Sequence, residues 1–425
     1  MSGRGVSPGP HGGRPRRYRL AGGLRVIVLS RRWTPTTAAR LIVGAGSVDD
    51  GDETSGLAHM AEHLVLCRRD GDNGLERAVR AVGGHLSGGT TREYTAFDLV
   101  CASPAFGRVL PAFAGLTASA ATDRLATERK VVIEEIRHRR DGLGLLWDAF
   151  YQALWAGHPL GRPVLGREPS VARLTEGDVQ AFHDRHYLAG NMVLAISGAV
   201  PPGRVAEEWL PPFASAAAPG PPPARCRPPV EYPRERRRVI VRRDIGQCHL
   251  IVGYPGPTMD EPSRHALKLL NLVLGGREGG RLYRRLRVQK GLVYSVATYA
   301  ACLKDAGLLA VSTSCAPSQV DRVVGMVRSE LEAIAARGVP EAELRDAKGF
   351  YRGQLAVSFE TNASLANVAA IEELLGRYVP LEESAALVEA VDAAEVRGQA
   401  ERLLSRGFEV CVICGDPPAV AGRGG

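Results

Sequence analysis

The chain has 425 residues, of which 45% are hydrophobic and 24% are charged, and its formal net charge is +8 at pH 7. This length and composition predict a globular protein with two domains of about 200 residues, and they exclude a fibrous or wholly disordered protein. Apolar runs such as residues 192–196 end far short of the roughly 20 residues that cross a bilayer, so no membrane-spanning segment is expected.

The first 17 residues are rich in glycine, proline and arginine and contain no apolar segment. We therefore expect residues 1–17 to form a disordered basic tail and not a secretory signal. A second basic cluster, residues 234–243, has no interleaved aromatic residues, which favours a solvent-exposed basic face over a nucleic-acid site.

The eight cysteines are mostly scattered, which favours free thiols in a reducing cytoplasm. We expect Cys411 and Cys414 not to bind metal, because residues three apart in a strand point to opposite faces.

The most informative motif is His59-Met60-Ala61-Glu62-His63. Apolar residues at helical spacing surround it, and Ser55 is the expected N-cap, so His59, Glu62 and His63 should share one face of a helix. Neutral imidazole is a good zinc ligand, and a catalytic zinc ion normally takes three protein ligands, which leaves one position for water. The alternative is a helix with an ordinary polar face.

A second helix is expected to complete this site. Glu128 and Glu135 are seven residues apart in a helical segment and lie on the same face, whereas Glu134 is rotated away from that face. A carboxylate on a neighbouring helix commonly completes a zinc site with two histidines, so Glu135 is the expected third ligand. The alternative is that these glutamates are surface acids of a charged helix. Between the two helices, residues 90–100 are predicted to form one strand.

The two halves of the chain resemble each other. The segments 25–28 and 41–44 recur as 238–241 and 250–253, and the segment 192–198 recurs as 410–415. We therefore predict an α+β fold with two homologous duplicated domains, each a mostly antiparallel sheet with helices packed on one face. The predicted bounds are 18–212 and 234–416, joined by a stiff proline-rich linker at 213–233 and followed by a flexible tail at 417–425.

The duplication provides an internal control for the metal hypothesis. Aligning residues 64–66 with residues 272–274 places Leu267, Leu270 and Asn271 where the first copy has His59, Glu62 and His63. The helix therefore does not need these polar residues in order to pack. Their presence in one copy favours chemistry over a structural role.

Several further motifs accompany the two helices. They are Gly83-Gly84, Arg92-Glu93-Tyr94-Thr95, Gly157-His158-Pro159-Leu160-Gly161 and Arg281-Leu282-Tyr283. Together with His59-x-x-Glu62-His63 and the segment 128–135, they resemble the pitrilysin or insulinase family of inverted-motif zinc peptidases. The resemblance runs from about residue 25 to residue 415, and it is to the small single-half type related to the mitochondrial processing peptidase.

The resemblance implies a role for each motif residue. His59, His63 and Glu135 would bind one Zn²⁺ per chain, Glu62 would be the general base, and Glu128 would support a ligand. In the second copy, Arg287 and Tyr294 match the family's pair that stabilises charge on the scissile oxygen.

The resemblance also implies a place for the substrate. A strand edge would receive an extended peptide as an added strand, and Ser87, Gly88 and Thr90 belong to that segment. Ser87 and Gly88 stand where the family usually has Asn-Ala, so the usual asparagine contact to the substrate is absent from this chain.

The sequence thus predicts a cytoplasmic zinc metalloendopeptidase that hydrolyses extended peptides or leader sequences. Because the zinc residues and the Arg-Tyr pair lie on one chain, a homodimer is favoured, with a heterodimer with a related chain as the other possibility. The alternative function is a non-catalytic structural or peptide-binding subunit of a heteromeric complex with a related chain. Loss of a ligand or of the base is the signature of such a subunit, and all of these residues are present.

Overall fold

The computed structural model describes residues 15–67, 74–141, 143–200, 205–216, 218–224, 227–232 and 235–417. Most of the predicted basic tail, almost all of the predicted C-terminal tail and Cys226 lie outside these residues. The chain divides into two compact units. The first comprises the described residues of Met1–His138, Pro163–Arg227 and Ala356–Pro380, and the second those of Arg139–Arg162, Pro228–Leu355 and Leu381–Gly425. Each unit therefore includes one segment from the other half of the sequence.

The regular elements of the described residues are numbered in chain order. The strands are β1 (Arg16–Arg19), β2 (Arg25–Ser30), β3 (Thr36–Val43), β4 (His85–Thr90), β5 (Thr95–Ala102), β6 (Met192–Gly198), β7 (Arg237–Val241), β8 (Cys248–Gly256), β9 (Val293–Cys302), β10 (Gly307–Cys315) and β11 (Val410–Cys414). The helices are α1 (Leu57–Leu66), α2 (Leu75–Ala81), α3 (Ser103–Ala114), α4 (Leu125–Asp141), α5 (Gly144–Leu154), α6 (Glu168–Arg173), α7 (Glu176–His186), α8 (Pro211–Ala216), α9 (Arg264–Leu274), α10 (Val320–Arg337), α11 (Glu341–Ser358), α12 (Asn362–Leu375), α13 (Leu381–Glu389) and α14 (Ala393–Ser405).

The two sheets have the same topology. The strand order is β1-β2-β6-β3-β5-β4 in the first sheet and β7-β11-β8-β10-β9 in the second. The pairs β2–β6 and β7–β11 are parallel, and the other described pairs are antiparallel. Apart from the added strand β1, the orders correspond strand for strand. The predicted α+β fold with two duplicated domains is thereby confirmed.

One face of each sheet carries the main core of its unit. In the first unit, alternate residues of the inner strands, among them Leu41 and Leu194, pack with apolar residues of α1, α3 and α7. In the second unit, Leu250 and Ile413 pack in the same way with α9, α10 and α14. These residues point to one face because successive side chains of a strand alternate between faces.

The opposite face of each sheet is covered by one helix from the other half of the sequence. Helix α12 contacts β2, β3 and β6, where Ile27 and Ile42 are buried. Its first residue, Asn362, accepts a hydrogen bond from Ser197 at 3.1 Å and donates one to the Thr36 carbonyl at 2.7 Å. In the second unit, α5 contacts β8 and β11, and a Cβ added to Gly253 would lie 2.4 Å from the Phe150 ring. Gly253 is thus what allows α5 to approach β8 closely.

The predicted strand at residues 90–100 is wrong in its bounds. Strand β4 ends at Thr90 and β5 begins at Thr95, with a turn between them. The Thr91 amide and hydroxyl close this turn, because both donate to the Tyr94 carbonyl, at 2.8 and 2.9 Å. Strand β1 also begins at Arg16, inside the segment predicted as tail. None of the helices in the described part of the chain is both long and apolar enough to cross a membrane.

Candidate metal centre

Helix α1 begins at a loop that fixes its direction. The Asp50 carboxylate accepts hydrogen bonds from the amides of Gly56 and Ala58 at 2.8 and 2.9 Å. The prediction that Ser55 is the N-cap is therefore wrong, since Gly56 occupies that position without a side-chain cap and Asp50 serves the free amides. Gly56 has φ +97°, and a Cβ there would lie 2.7 Å from the Leu165 carbonyl oxygen. Both constraints fix where the helix starts, and hence which face it buries.

Helices α1 and α4 bring three donor groups together. The Nε2 atoms of His59 and His63 lie 3.6 and 3.7 Å from Glu135 Oε2. The ligand atoms of these three residues lie within 4.8 Å of one another, and no other group in the described part of the chain has this arrangement. Donors around a tetrahedral zinc ion are separated by roughly 3.4 Å, so two nitrogens and one carboxylate oxygen fit such an ion.

The histidines are held in the state that a ligand requires. Burial, and then the neighbouring His63, lower the pKa of His59 to about 3, so its imidazole is neutral. His63 Nδ1 lies 3.1 Å from Glu128 Oε2. This contact favours a proton on Nδ1 and leaves Nε2 free to bind. His59 Nδ1 is buried and has no hydrogen-bond partner among the described residues. A carboxylate therefore orients the His63 ring, whereas no hydrogen bond from the described residues to Nδ1 orients the His59 ring.

Glu128 is the buried support of His63. Its carboxylate is 7% exposed and also accepts a hydrogen bond from the Cys67 thiol. Burial, together with Glu128, raises the pKa of Cys67 to about 11, so the thiol stays protonated and donates. Glu128 and Glu135 thus act from one face of α4, whereas Glu134 pairs with Arg137 at 2.7 Å on the surface.

Glu62 is buried beside the donor cluster. The residue is 5% exposed, and Oε2 lies 3.9 Å from His59 Nε2. The pKa of Glu62 is raised, because the effect of burial outweighs the lowering by the hydrogen bond from Thr90 at 2.9 Å. A carboxylate at this distance from the cluster can take a proton from a group that the cluster holds.

Strand β4 is an edge strand of the first sheet. Leu86 packs against the main core and Thr90 contacts Glu62, so alternation places Gly88 on the same face and Ser87 on the other. The residues predicted to receive a peptide therefore belong to a strand with an open edge within the described residues.

Beside Glu135, residues of α4 line a cavity of about 570 Å³: Lys130, Val131, Glu134, Glu135 and His138.

Arg287 and Tyr294 lie in the second unit. Arg287 belongs to the π-helical segment Tyr283–Gln289, and Tyr294 is the second residue of β9. The Arg287 guanidinium lies 5.2 Å from the centre of the Tyr283 ring and 5.0 Å from that of Tyr294. Tyr294 is 79% exposed, and no carboxylate among the described residues pairs with Arg287. Both groups are thus available to a ligand.

Two features of the site were missed by sequence reasoning. Asp50 lies six residues before Gly56, so the rule that seeks a cap next to the helix does not find it. The hydrogen bond from Thr90 to Glu62 joins residues 28 apart. Thr90 was assigned to the substrate strand, but nothing in its spacing indicated a contact with Glu62.

Two family models match the chain. The model described as "Insulinase (Peptidase family M16)" matches residues 25–168, and the one described as "Peptidase M16 inactive domain" matches residues 173–350. An uncharacterized zinc protease of Mycobacterium tuberculosis is 33% identical over 410 residues, which cover 94% of this chain and 93% of that protein. The chain belongs to the insulinase family of peptidases. It is of the single-half type, and relatives of this length in the family are named zinc proteases.

Solved structures share the fold of this family member. A protease from Helicobacter pylori superposes with a TM-score of 0.86 at 20% identity, over 95% of this chain and 99% of that chain. A chain of Complex III2 from Candida albicans superposes with a TM-score of 0.81 at 17% identity, over 94% and 95%. The same fold therefore occurs in a protease and in a chain of Complex III2.

Proposed function

We propose that this family member is a zinc metalloendopeptidase that hydrolyses extended peptides or leader sequences. One observation carries the proposal. The donors His59, His63 and Glu135 converge on one point, and the buried carboxylate of Glu62 lies beside them. Burying His59 and Glu62 without a function is costly, since each loses most of its water shell.

His59, His63 and Glu135 would hold the zinc ion, and Glu128 would keep His63 in the tautomer that presents Nε2. A zinc ion bound there would acidify a water molecule and polarise the peptide carbonyl. Glu62 would take the proton from the attacking water and return it to the leaving amine.

Strand β4 would bind the substrate through its open edge. Backbone pairing of an added strand gives affinity with little dependence on sequence, which suits extended peptides. Ser87 and Gly88 offer no amide side chain to the substrate, so the backbone would carry most of the binding here. The half-buried Arg287 and the exposed Tyr294 would donate hydrogen bonds to the scissile oxygen.

We further propose that the active form is a cytoplasmic homodimer, because one chain carries the zinc residues together with the Arg-Tyr pair. A heterodimer with a related chain is the other possibility. The alternative function is a non-catalytic structural or peptide-binding subunit of a heteromeric complex with a related chain, and the likeness to a chain of Complex III2 is the observation that favours it. The complete set of ligands and the base favours the enzyme.

The test is the variant Glu62→Gln. Glutamine has nearly the same shape but cannot accept the proton, so we expect one zinc ion per chain and a fall in peptide hydrolysis of about a thousandfold or more. Zinc content and cleavage of quenched peptides are measured on the same purified chain, together with its mass in solution. Full activity of Glu62→Gln would refute the mechanism, and a zinc-loaded wild type that cleaves no peptide would favour the structural subunit.

A further inference from the structure

One face of β4 holds the Glu62 carboxylate at both oxygens. The Thr90 hydroxyl donates to Oε2 at 2.9 Å. Two residues earlier on the same face, a Cβ added to Gly88 would lie 2.6 Å from Oε1 and 2.6 Å from Leu66 Cδ1. Real Cβ atoms essentially never approach this closely. One oxygen is therefore bonded, and the other faces the one position of this strand face that lacks a side chain.

We propose that Thr90 and Gly88 are positioning residues that fix the orientation of the Glu62 carboxylate beside the donor cluster, Thr90 by its hydrogen bond to Oε2 and Gly88 by leaving the space that Oε1 occupies. This inference rests on the proposed peptidase function. Oε2 accepts the hydrogen bond from Thr90 and is the oxygen that lies 3.9 Å from His59 Nε2, so the orientation that Thr90 sets also sets the distance to the donor cluster. The absence of a side chain at Gly88 leaves room for Oε1 in this orientation.

The surroundings of Glu62 allow little other adjustment. The residue is 5% exposed, and its helix is packed on the core through the fully buried Met60 and Leu64. A methyl group at position 88 must therefore rotate the carboxylate or displace Leu66. The strand therefore approaches Glu62 more closely than an undisturbed alanine at position 88 would permit.

The hydroxyl of Thr90 provides the first test. Thr90→Val keeps the shape and removes the donor, and Thr90→Ser keeps the donor. For cleavage of a quenched peptide we expect Thr90→Val to lower kcat about tenfold to a hundredfold, with a smaller change in KM, because a displaced catalytic group costs this much. Thr90→Ser should recover to within about threefold of the wild type, and both variants should bind one zinc ion per chain.

A pair of neighbouring glycines provides the second test. Gly88→Ala meets Glu62, whereas an added Cβ at Gly89 has nothing within 4 Å. Both substitutions add one methyl group to the same strand, so their difference isolates the contact with Glu62. We expect kcat of Gly88→Ala to be at least about tenfold below that of Gly89→Ala.

Crystal structures of the metal-free variants provide a readout that does not depend on activity. We expect the Glu62 carboxylate to move in Thr90→Val and Gly88→Ala while His59, His63 and Glu135 stay in place. An unmoved carboxylate in both variants overturns the inference, as does an active wild type with unchanged kcat in Thr90→Val. Loss of zinc in Thr90→Val would show a role in metal binding and also overturns it. An inactive zinc-loaded wild type would refute the peptidase function instead, and the crystal structures would still test the positioning.

Discussion

Helices α1 and α9 occupy equivalent places in the two units, but they bury opposite kinds of side chain. Both precede the edge hairpin of their sheet and pack on its core face. In α9, Leu267 and Leu270 are fully buried, whereas the corresponding His59 and Glu62 of α1 are 9% and 5% exposed. The same scaffold therefore accepts leucine where the first unit has ionisable groups. The polar residues of α1 lower stability, and a function is needed to explain why they are there.

The strongest test of this comparison gives α1 the residues of α9. In His59→Leu/Glu62→Leu/His63→Asn we expect no zinc binding and no hydrolysis above background, because two proposed ligands and the proposed base are gone. We also expect the metal-free variant to unfold at a free energy equal to or about 1–3 kcal/mol above that of the metal-free wild type, since buried polar groups are replaced by apolar ones. Zinc analysis and urea unfolding after chelation measure both effects. A large loss of stability would mean that the polar residues serve packing.

The second test separates two adjacent residues of α4. Glu135→Gln removes the carboxylate that lies 3.6 and 3.7 Å from the two histidines, so we expect zinc affinity to fall by about a hundredfold or more. Glu134→Gln removes only an exposed ion pair with Arg137 and should leave zinc affinity within about twofold. Competition with a chromogenic chelator measures both affinities. Equal losses in the two variants would contradict the assignment of Glu135 as a ligand.

The residues that sequence reasoning brought together are those whose spacing alone determines their direction. His59, Glu62 and His63 share a face because they are three and four residues apart in one helix, and Glu128 and Glu135 share a face because seven residues make about two whole turns. The repeated strand segments likewise predicted two copies of one sheet, because duplicated segments are expected to pair in the same order in both copies. Local periodicity was sufficient for both predictions.

The remaining features depend on partners that are distant in sequence. Strand β4 contains Ser87, Gly88 and Gly89, so it lacks the alternating apolar pattern that marks a strand. The helices α5 and α12 each cover a sheet built from the other half of the chain. Their own periodicity does not indicate which sheet each of them covers. The capping carboxylate of α1 comes from the loop after β3 and not from the residue next to the helix.

The smallest expected effect concerns how α1 and α9 begin. The N-cap of α9 is Ser263, whose side chain makes no capping hydrogen bond, whereas Asp50 accepts two amide hydrogen bonds at the start of α1. Asp50→Ala should therefore lower the free energy of unfolding by about 1–2 kcal/mol, and Ser263→Ala should change it by less than about 0.5 kcal/mol. Amide exchange of residues 56–60 should accelerate only in Asp50→Ala, because only that variant frees the first amides of α1. If both variants lost equal stability, Asp50 would act through general packing, and the loop before α1 would not be what fixes the direction of His59 and His63.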